Sequence, residues 1–178
     1  MTLGLVLDQD RGSLPYALIH GEPLVACAAW ALGEAEILPL DIGTQWSSIV
    51  VGAEPLVLHD ALCPLVPPEF LASCVEQAAA GSVVVGVRPV TDTIKRIEGG
   101  KIGATLDRSD LWQVASPVVL PVEVVAALDD YPGTDLAALV EQLAARFAVT
   151  LVEAPATARR ITSVEDLRVL EAMTAPGR

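Results

Sequence analysis

The five residues Val83 to Val87 (VVVGV) constrain this chain more than any other stretch. Four β-branched side chains in five positions, with no polar alternation, describe a strand buried on both faces. Such strands belong to parallel sheets covered by helices on either side. Shorter apolar runs at Leu3–Leu7, Ile37–Leu40, Ser48–Val51, Leu56–Asp60 and Val149–Val152 read as companion strands. Helical patterns lie between them. Val25–Leu32 follows Pro23, and Pro67–Ala80 carries Phe70, Leu71, Cys74, Val75 and Ala78 on one face. Pro121–Leu128 reads as a third helix. Thr134, as N-cap, opens a fourth with the stripe Leu136, Leu139, Val140, Leu143 and Phe147, and Ser163 opens a last one running through Met173. Strands alternating with amphipathic helices predict a three-layer α/β fold with a mostly parallel sheet. A length of 178 residues is most simply one domain over 1–178.

Beyond Val87 the character of the chain changes. Residues 89–112 are polar and turn at Gly99-Gly100, which predicts a two-stranded arm. The arm holds Lys95, Arg96, Lys101 and Arg108, four of the 11 basic residues in a chain of net charge -12, beside hydroxyls at Thr91, Thr93 and Thr105. Cations interleaved with hydroxyls form a candidate cradle for a phosphate or carboxylate.

Composition removes several classes of function. A hydrophobic content of 52% excludes a disordered chain despite the acidity. The acidic balance argues against nucleic acid as a partner and makes any anionic ligand depend on a local basic pocket. No apolar run is long enough to span a membrane without Pro, Gly or charge, and no basic residue precedes the first one, so a soluble cytoplasmic protein is expected. Cys27, Cys63 and Cys74 are odd in number and lack metal-site spacing, which predicts free thiols.

Two long blocks, Pro89–Lys95 (PVTDTIK) and Thr105–Trp112 (TLDRSDLW), resemble those of the 2-C-methyl-D-erythritol 4-phosphate cytidylyltransferases of isoprenoid biosynthesis. Weaker likenesses at His59–Pro64 and Arg160–Leu167 extend it over most of Leu56–Met173; before Leu56 it is poor, with a short match at Gly21–Val25. The resemblance implies a nucleotidyltransferase-like, Rossmann-like sheet with a protruding β-arm. It also implies magnesium-dependent transfer of CMP from CTP to a sugar-alcohol phosphate. The implied assembly is a homodimer in which each arm hooks around the other subunit and delivers Thr93 and Arg108 to the neighbour's pocket. Ser116, where the family has Thr, and Arg160, where it has Lys, would complete the substrate-phosphate site. Asp60 would lie beside the metal and the nucleotide phosphates.

The residues themselves give Asp60 two readings. It closes a strand at the carboxyl end, where open α/β sheets place ligands, and an Asp there is equally an ordinary cap. The family's Gly-rich phosphate loop is replaced by Asp8-Gln9-Asp10-Arg11-Gly12-Ser13-Leu14-Pro15-Tyr16. Only Arg11 and Gly12 remain there as cofactor-binding candidates, and Tyr16 stands where the family has Lys after Pro. Asp8 and Asp10 read as a solvated acidic turn in preference to a metal site. Cys63 stands in place of an Arg, Thr157 in place of an Asp, and no Gly-Gly-x-x-Arg segment occurs between Leu32 and Leu56. The expectation is a divergent, shortened relative with a degraded CTP site, serving as a catalytically inactive dimeric binding or scaffold module for a phosphorylated small molecule. An active cytidylyltransferase using magnesium is the alternative, with Asp60 and Arg160 as its catalytic candidates.

Overall fold

A computed structural model describes residues 1–41 and 43–175. The chain opens with strand β1 (Thr2–Leu7), a short hairpin of β2 (Leu18–Ile19) and β3 (Glu22–Pro23), and helix α1 (Leu24–Glu34). Then come β4 (Ile37–Pro39), α2 (Trp46–Gly52), β5 (Leu56–Asp60), α3 (Pro68–Ala78) and β6 (Val83–Pro89). The arm is β7 (Lys95–Glu98) and β8 (Lys101–Thr105), and β9 (Trp112–Leu120) returns to the sheet. Helices α4 (Val122–Ala126) and α5 (Leu136–Ala144), strand β10 (Val149–Glu153) and helix α6 (Val164–Met173) complete the fold.

Six strands form one sheet in the order β10-β6-β9-β5-β1-β4. All of its pairings are parallel except those of β9, which runs antiparallel between β5 and β6. The period of two along each strand explains the layers. In β6, Val83, Val85 and Val87 face one side, where Ile49 of α2, Val124 and Val125 of α4 and Leu136, Leu139 and Leu143 of α5 cover them. Val84, with Val57 and Val119 of its neighbours, faces the other side, against Ala31 and Leu32 of α1 and Leu71, Cys74 and Ala78 of α3. A smaller cluster of Ile19, Leu24, Leu62, Ile161, Leu167 and Leu170 fastens α6 to the start of α1. The sheet is thus sandwiched between helices, as expected. Among the described residues, no helix is long and apolar enough to cross a membrane.

Two expectations are corrected. Ser48–Val51 is not a strand but part of α2. Its β-branched residues favour a strand locally, but β4 and β5 pair on opposite sides of β1, so the connecting segment must cross the sheet. As a helix it buries Ile49 in the core and lets Trp46 Nε1 donate to the Leu128 carbonyl at 3.0 Å. Ile42, in the same connection, lies outside the described residues. The cap of α5 is Asp135 and not Thr134: the carboxylate accepts from the N–H groups of Ala137 and Ala138, while the Thr134 hydroxyl donates to Asp10. β9, at the centre of the sheet, has no counterpart among the expected elements.

The arm forms as expected. Gly99 and Gly100 both take positive φ, 57° and 76°, as a two-residue turn of this hand requires. Ile97 and Ile102 pair across it and are exposed, at 64% and 77%. Cys63 and Cys74 are buried free thiols, and burial pushes Cys74 up to about 12 and Cys63 higher still, leaving both unreactive; Cys27 is half-buried.

Gly86 is the point of closest approach in the core. A Cβ there would lie 2.7 Å from the Ser116 carbonyl oxygen and 3.1 Å from Pro117 N, both backbone atoms, where β6 and β9 shift register. Gly86→Ala should therefore destabilise the fold by about 1–3 kcal/mol in urea unfolding. Gly33→Ala in α1, where a Cβ meets open space, should stabilise it by about 0.5 kcal/mol.

Candidate functional site

Asp60 ends β5, and two loops reach it from other strand ends. Arg11 comes from the segment after β1, and Arg160 from the segment after β10. All three therefore gather at the carboxyl edge of the parallel strands, where α/β sheets carry their ligands. Arg11 Nε donates to Asp60 Oδ1 at 2.8 Å, and Arg11 Nη2 donates to Oδ2 at 3.0 Å, a two-point fork. Arg160 Nε donates to Oδ2 at 3.0 Å, and the Leu62 N–H to Oδ1 at 3.0 Å. Arg11 is held in turn by the carbonyls of Gln9, 3.0 Å from Nη1, and Thr134, 2.7 Å from Nη2. The side chains of Asp60 and Arg11 are only 3% and 7% exposed, whereas Arg160 is 31% exposed. Burial pushes the Asp60 carboxyl up, but the Arg11 hydrogen bonds, the Leu62 N–H and the two guanidinium charges outweigh it and hold the group below its ordinary value.

Behind this cluster lies a fully buried polar contact. Ser116 Oγ, from β9, accepts the Asp60 N–H at 3.1 Å and is 2.5 Å from His59 Nδ1. His59 Nε2 is buried without a partner among the described residues, and burial lowers the imidazole to about 4 despite the opposing charge of Asp60. His59 is thus a neutral packed histidine. Ser116 supports the end of β5 from inside the core.

The sequence candidates divide accordingly. Asp60, Arg11 and Arg160 come together and line a cleft of about 610 Å³ with Asp10, Asp135, Trp112 and Gln113. Gly12 is exposed at φ 59° in the loop and does not line the cleft. Ser116, fully buried, does not line it either. Thr93 and Arg108 are exposed on the arm, away from this chain's own cleft, with Arg108 Nη1 donating to the Thr91 carbonyl. The sequence pattern missed the Thr134 carbonyl, which has no residue-type signature, and the cleft wall of Trp112 and Gln113, signalled only by its place at the root of the arm.

Magnesium does not fit these residues. Both oxygens of Asp60 already face cationic donors, and among the described residues no group of three His, Cys, Asp or Glu side chains converges on a point. The cleft lining holds two guanidiniums and three carboxylates, those of Asp10, Asp60 and Asp135.

A twisted, mostly parallel sheet with one central antiparallel strand, a protruding arm and polar residues gathered at the strand ends defines a nucleotidyltransferase-like α/β protein. The sequence model of the family described as 2-C-methyl-D-erythritol 4-phosphate cytidylyltransferase matches residues 47–175, and the chain belongs to that family. Curated relatives of that name include one from Bacillus licheniformis, 33% identical over 127 residues, which are 67% of this chain and 54% of the relative. Another, from Bacillus velezensis, is 37% identical over 132 residues, 70% of this chain and 56% of the relative. The chain spans about half the length of the curated relatives it matches. The crystal structure of 2-C-methyl-D-erythritol 4-phosphate cytidylyltransferase from Thermus thermophilus superposes with a TM-score of 0.69 over 97% of this chain and 98% of that one, at 23% identity. The synthase structure from Anaerococcus prevotii also gives 0.69, at 16% identity over 97% and 94% of the two chains. At such identities the structures speak for the fold.

The buried histidine gives a test by pH. His59 takes a proton in the fold only near 4, whereas an unfolded histidine does so near 6.5. Its contribution is complete above the higher value and is lost as the pH falls through this window, by about 3 kcal/mol. Urea unfolding at about pH 7.5 and pH 4.5 should show a smaller loss of stability in His59→Gln than in the wild type. Equal losses would assign the acid sensitivity elsewhere.

Proposed function

We propose that this chain is a family member with a degraded CTP site, acting as a dimeric binding or scaffold module for a phosphorylated small molecule and catalysing little or no transfer. The observation that carries this reading is the state of Arg11. The one arginine left in the nucleotide loop is spent on Asp60 and on two backbone carbonyls, and the cleft around it holds more carboxylates than guanidiniums. Transfer of a nucleotidyl group works by positioning and by neutralising charge on the leaving pyrophosphate, so cations committed elsewhere do not serve it. Tyr16 adds to the argument: its hydroxyl donates to Asp8 at 3.0 Å, tying an acidic group into the same loop. Each lost oxyanion or phosphate donor is worth about 10²–10³ in rate, so several together abolish useful turnover.

The phosphate end is better supplied. Arg160 keeps an exposed edge in the cleft, and Thr93 and Arg108 lie exposed on the arm without lining their own cleft. In a two-fold dimer the arm of one subunit would bring Thr93 and Arg108 to the cleft of the other, with Ile97 and Ile102 buried against it. The second reading, an active cytidylyltransferase of isoprenoid biosynthesis, draws support from family membership and from the survival of Arg11 and Arg160 at the strand ends.

Incubation with CTP, magnesium and 2-C-methyl-D-erythritol 4-phosphate should release no pyrophosphate above a protein-free control. Release that disappears in Asp60→Asn would overturn the inactive reading. Analytical ultracentrifugation at micromolar concentration should give a dimer that Ile97→Asp with Ile102→Asp converts to monomer. A wild-type monomer, or a dimer indifferent to both substitutions, would refute the arm-mediated assembly.

A further inference from the structure

The disagreement between the Asp60 cluster and a divalent metal has its own consequence. Four donors converge on the two carboxylate oxygens, about the capacity of an ionised carboxylate. The two other carboxylates that line the cleft each accept hydrogen bonds as well. Asp10 accepts from the Thr134 hydroxyl at 3.0 Å, and Asp135 caps α5 through Ala137 and Ala138. A metal entering here would have to displace Arg11, and displacement would part a nearly buried guanidinium from the carboxylate it hydrogen-bonds, leaving it the Gln9 and Thr134 carbonyls and the charge of Asp10, not hydrogen-bonded to it. Arginine is also the cation suited to this place. It stays charged at every relevant pH, and its planar fork matches both carboxylate oxygens at once.

We propose that Arg11 is a built-in counter-cation standing in the position from which Asp60 would otherwise take a divalent metal, so that the cleft receives a phosphorylated ligand without metal. This rests on the reading of the cleft as a phosphate-ligand site. Arg11 neutralises Asp60 permanently. Arg160, of whose donors only Nε is engaged among the described residues, keeps its two terminal nitrogens for the ligand. Metal-free recognition then follows from the division of labour between the two arginines, one turned inward as a counter-ion and one outward as a donor.

Manganese(II) alone, a paramagnetic probe of oxygen-ligand sites, tests this on the intact wild-type chain by amide NMR. Equimolar manganese, with and without CTP, should leave the Ala61 and Leu62 signals no more broadened than those of exposed acidic turns. Selective broadening of those two signals, reversed by EDTA, would overturn the proposal without recourse to any variant. A calorimetric titration with 2-C-methyl-D-erythritol 4-phosphate forms the second arm. Dissociation constants in EDTA and in magnesium that agree within about threefold support the proposal. Binding strengthened more than threefold by magnesium refutes it while leaving the binding-module reading intact. Absence of binding in both buffers would instead remove that ligand from the binding-module reading, and the manganese result would then decide the role of Arg11 by itself.

Discussion

A carboxylate held out of water between two guanidiniums is the interaction on which the ligand end of this molecule depends. Asp60 is almost wholly buried, and a lone buried charge is among the most costly features a fold can carry. Its partners come from three distant parts of the chain, Arg11, Leu62 and Arg160, so satisfying one side chain fixes the loop after β1, the exit of β5 and the segment after β10 relative to one another. Ser116 adds a fourth element by accepting the Asp60 backbone N–H from β9. A carboxylate in the same place with only one cation would define far less of the surrounding chain.

The same constraint bears on how an acidic protein places its cations. With a net charge of -12, the chain has few cations to commit. Two of them sit on one carboxylate, and four lie on the arm, where Lys95 donates to the Thr105 hydroxyl. Six of the 11 basic residues thus fall in two groups, and the overall negative charge disfavours diffuse attraction of polyanions and leaves recognition to short-range geometry.

Much of the fold was legible because local pattern and tertiary role coincide. The β-branched run of β6, the Pro-initiated α1 and α3, and the Gly-Gly turn of the arm each carry their structural reason in adjacent residues. β9 does not. Gln113, Ser116 and Pro117 break its apolar pattern, and Pro is ordinarily excluded from a central strand unless a bulge takes up its missing N–H. Pro117 follows Ser116 at the register shift opposite Gly86, so the exception becomes readable only once the two strands are seen together. The site behaves similarly. Asp60, Arg11 and Arg160 could be named from residue type and position along the strands, but the pairing joins residues 49 and 100 positions apart, and neither separation leaves a local signal. The Ser116 hydroxyl, by its chemistry a phosphate donor, is consumed inside the core by a neighbour that no sequence pattern connects to it.

β9 also joins two regions described so far apart. Its first residues, Trp112 and Gln113, leave the root of the arm and line the cleft; its middle residue Ser116 grips the Asp60 backbone; its last residues, Val118 to Leu120, are locked between β5 and β6. The arm is thus mounted on the centre of the sheet by two neighbouring strands, β6 and β9, paired up to Pro89 and Trp112. Trp112 closes the arm and walls the cleft at once, so a movement of the arm that carries this one residue also reshapes the cleft.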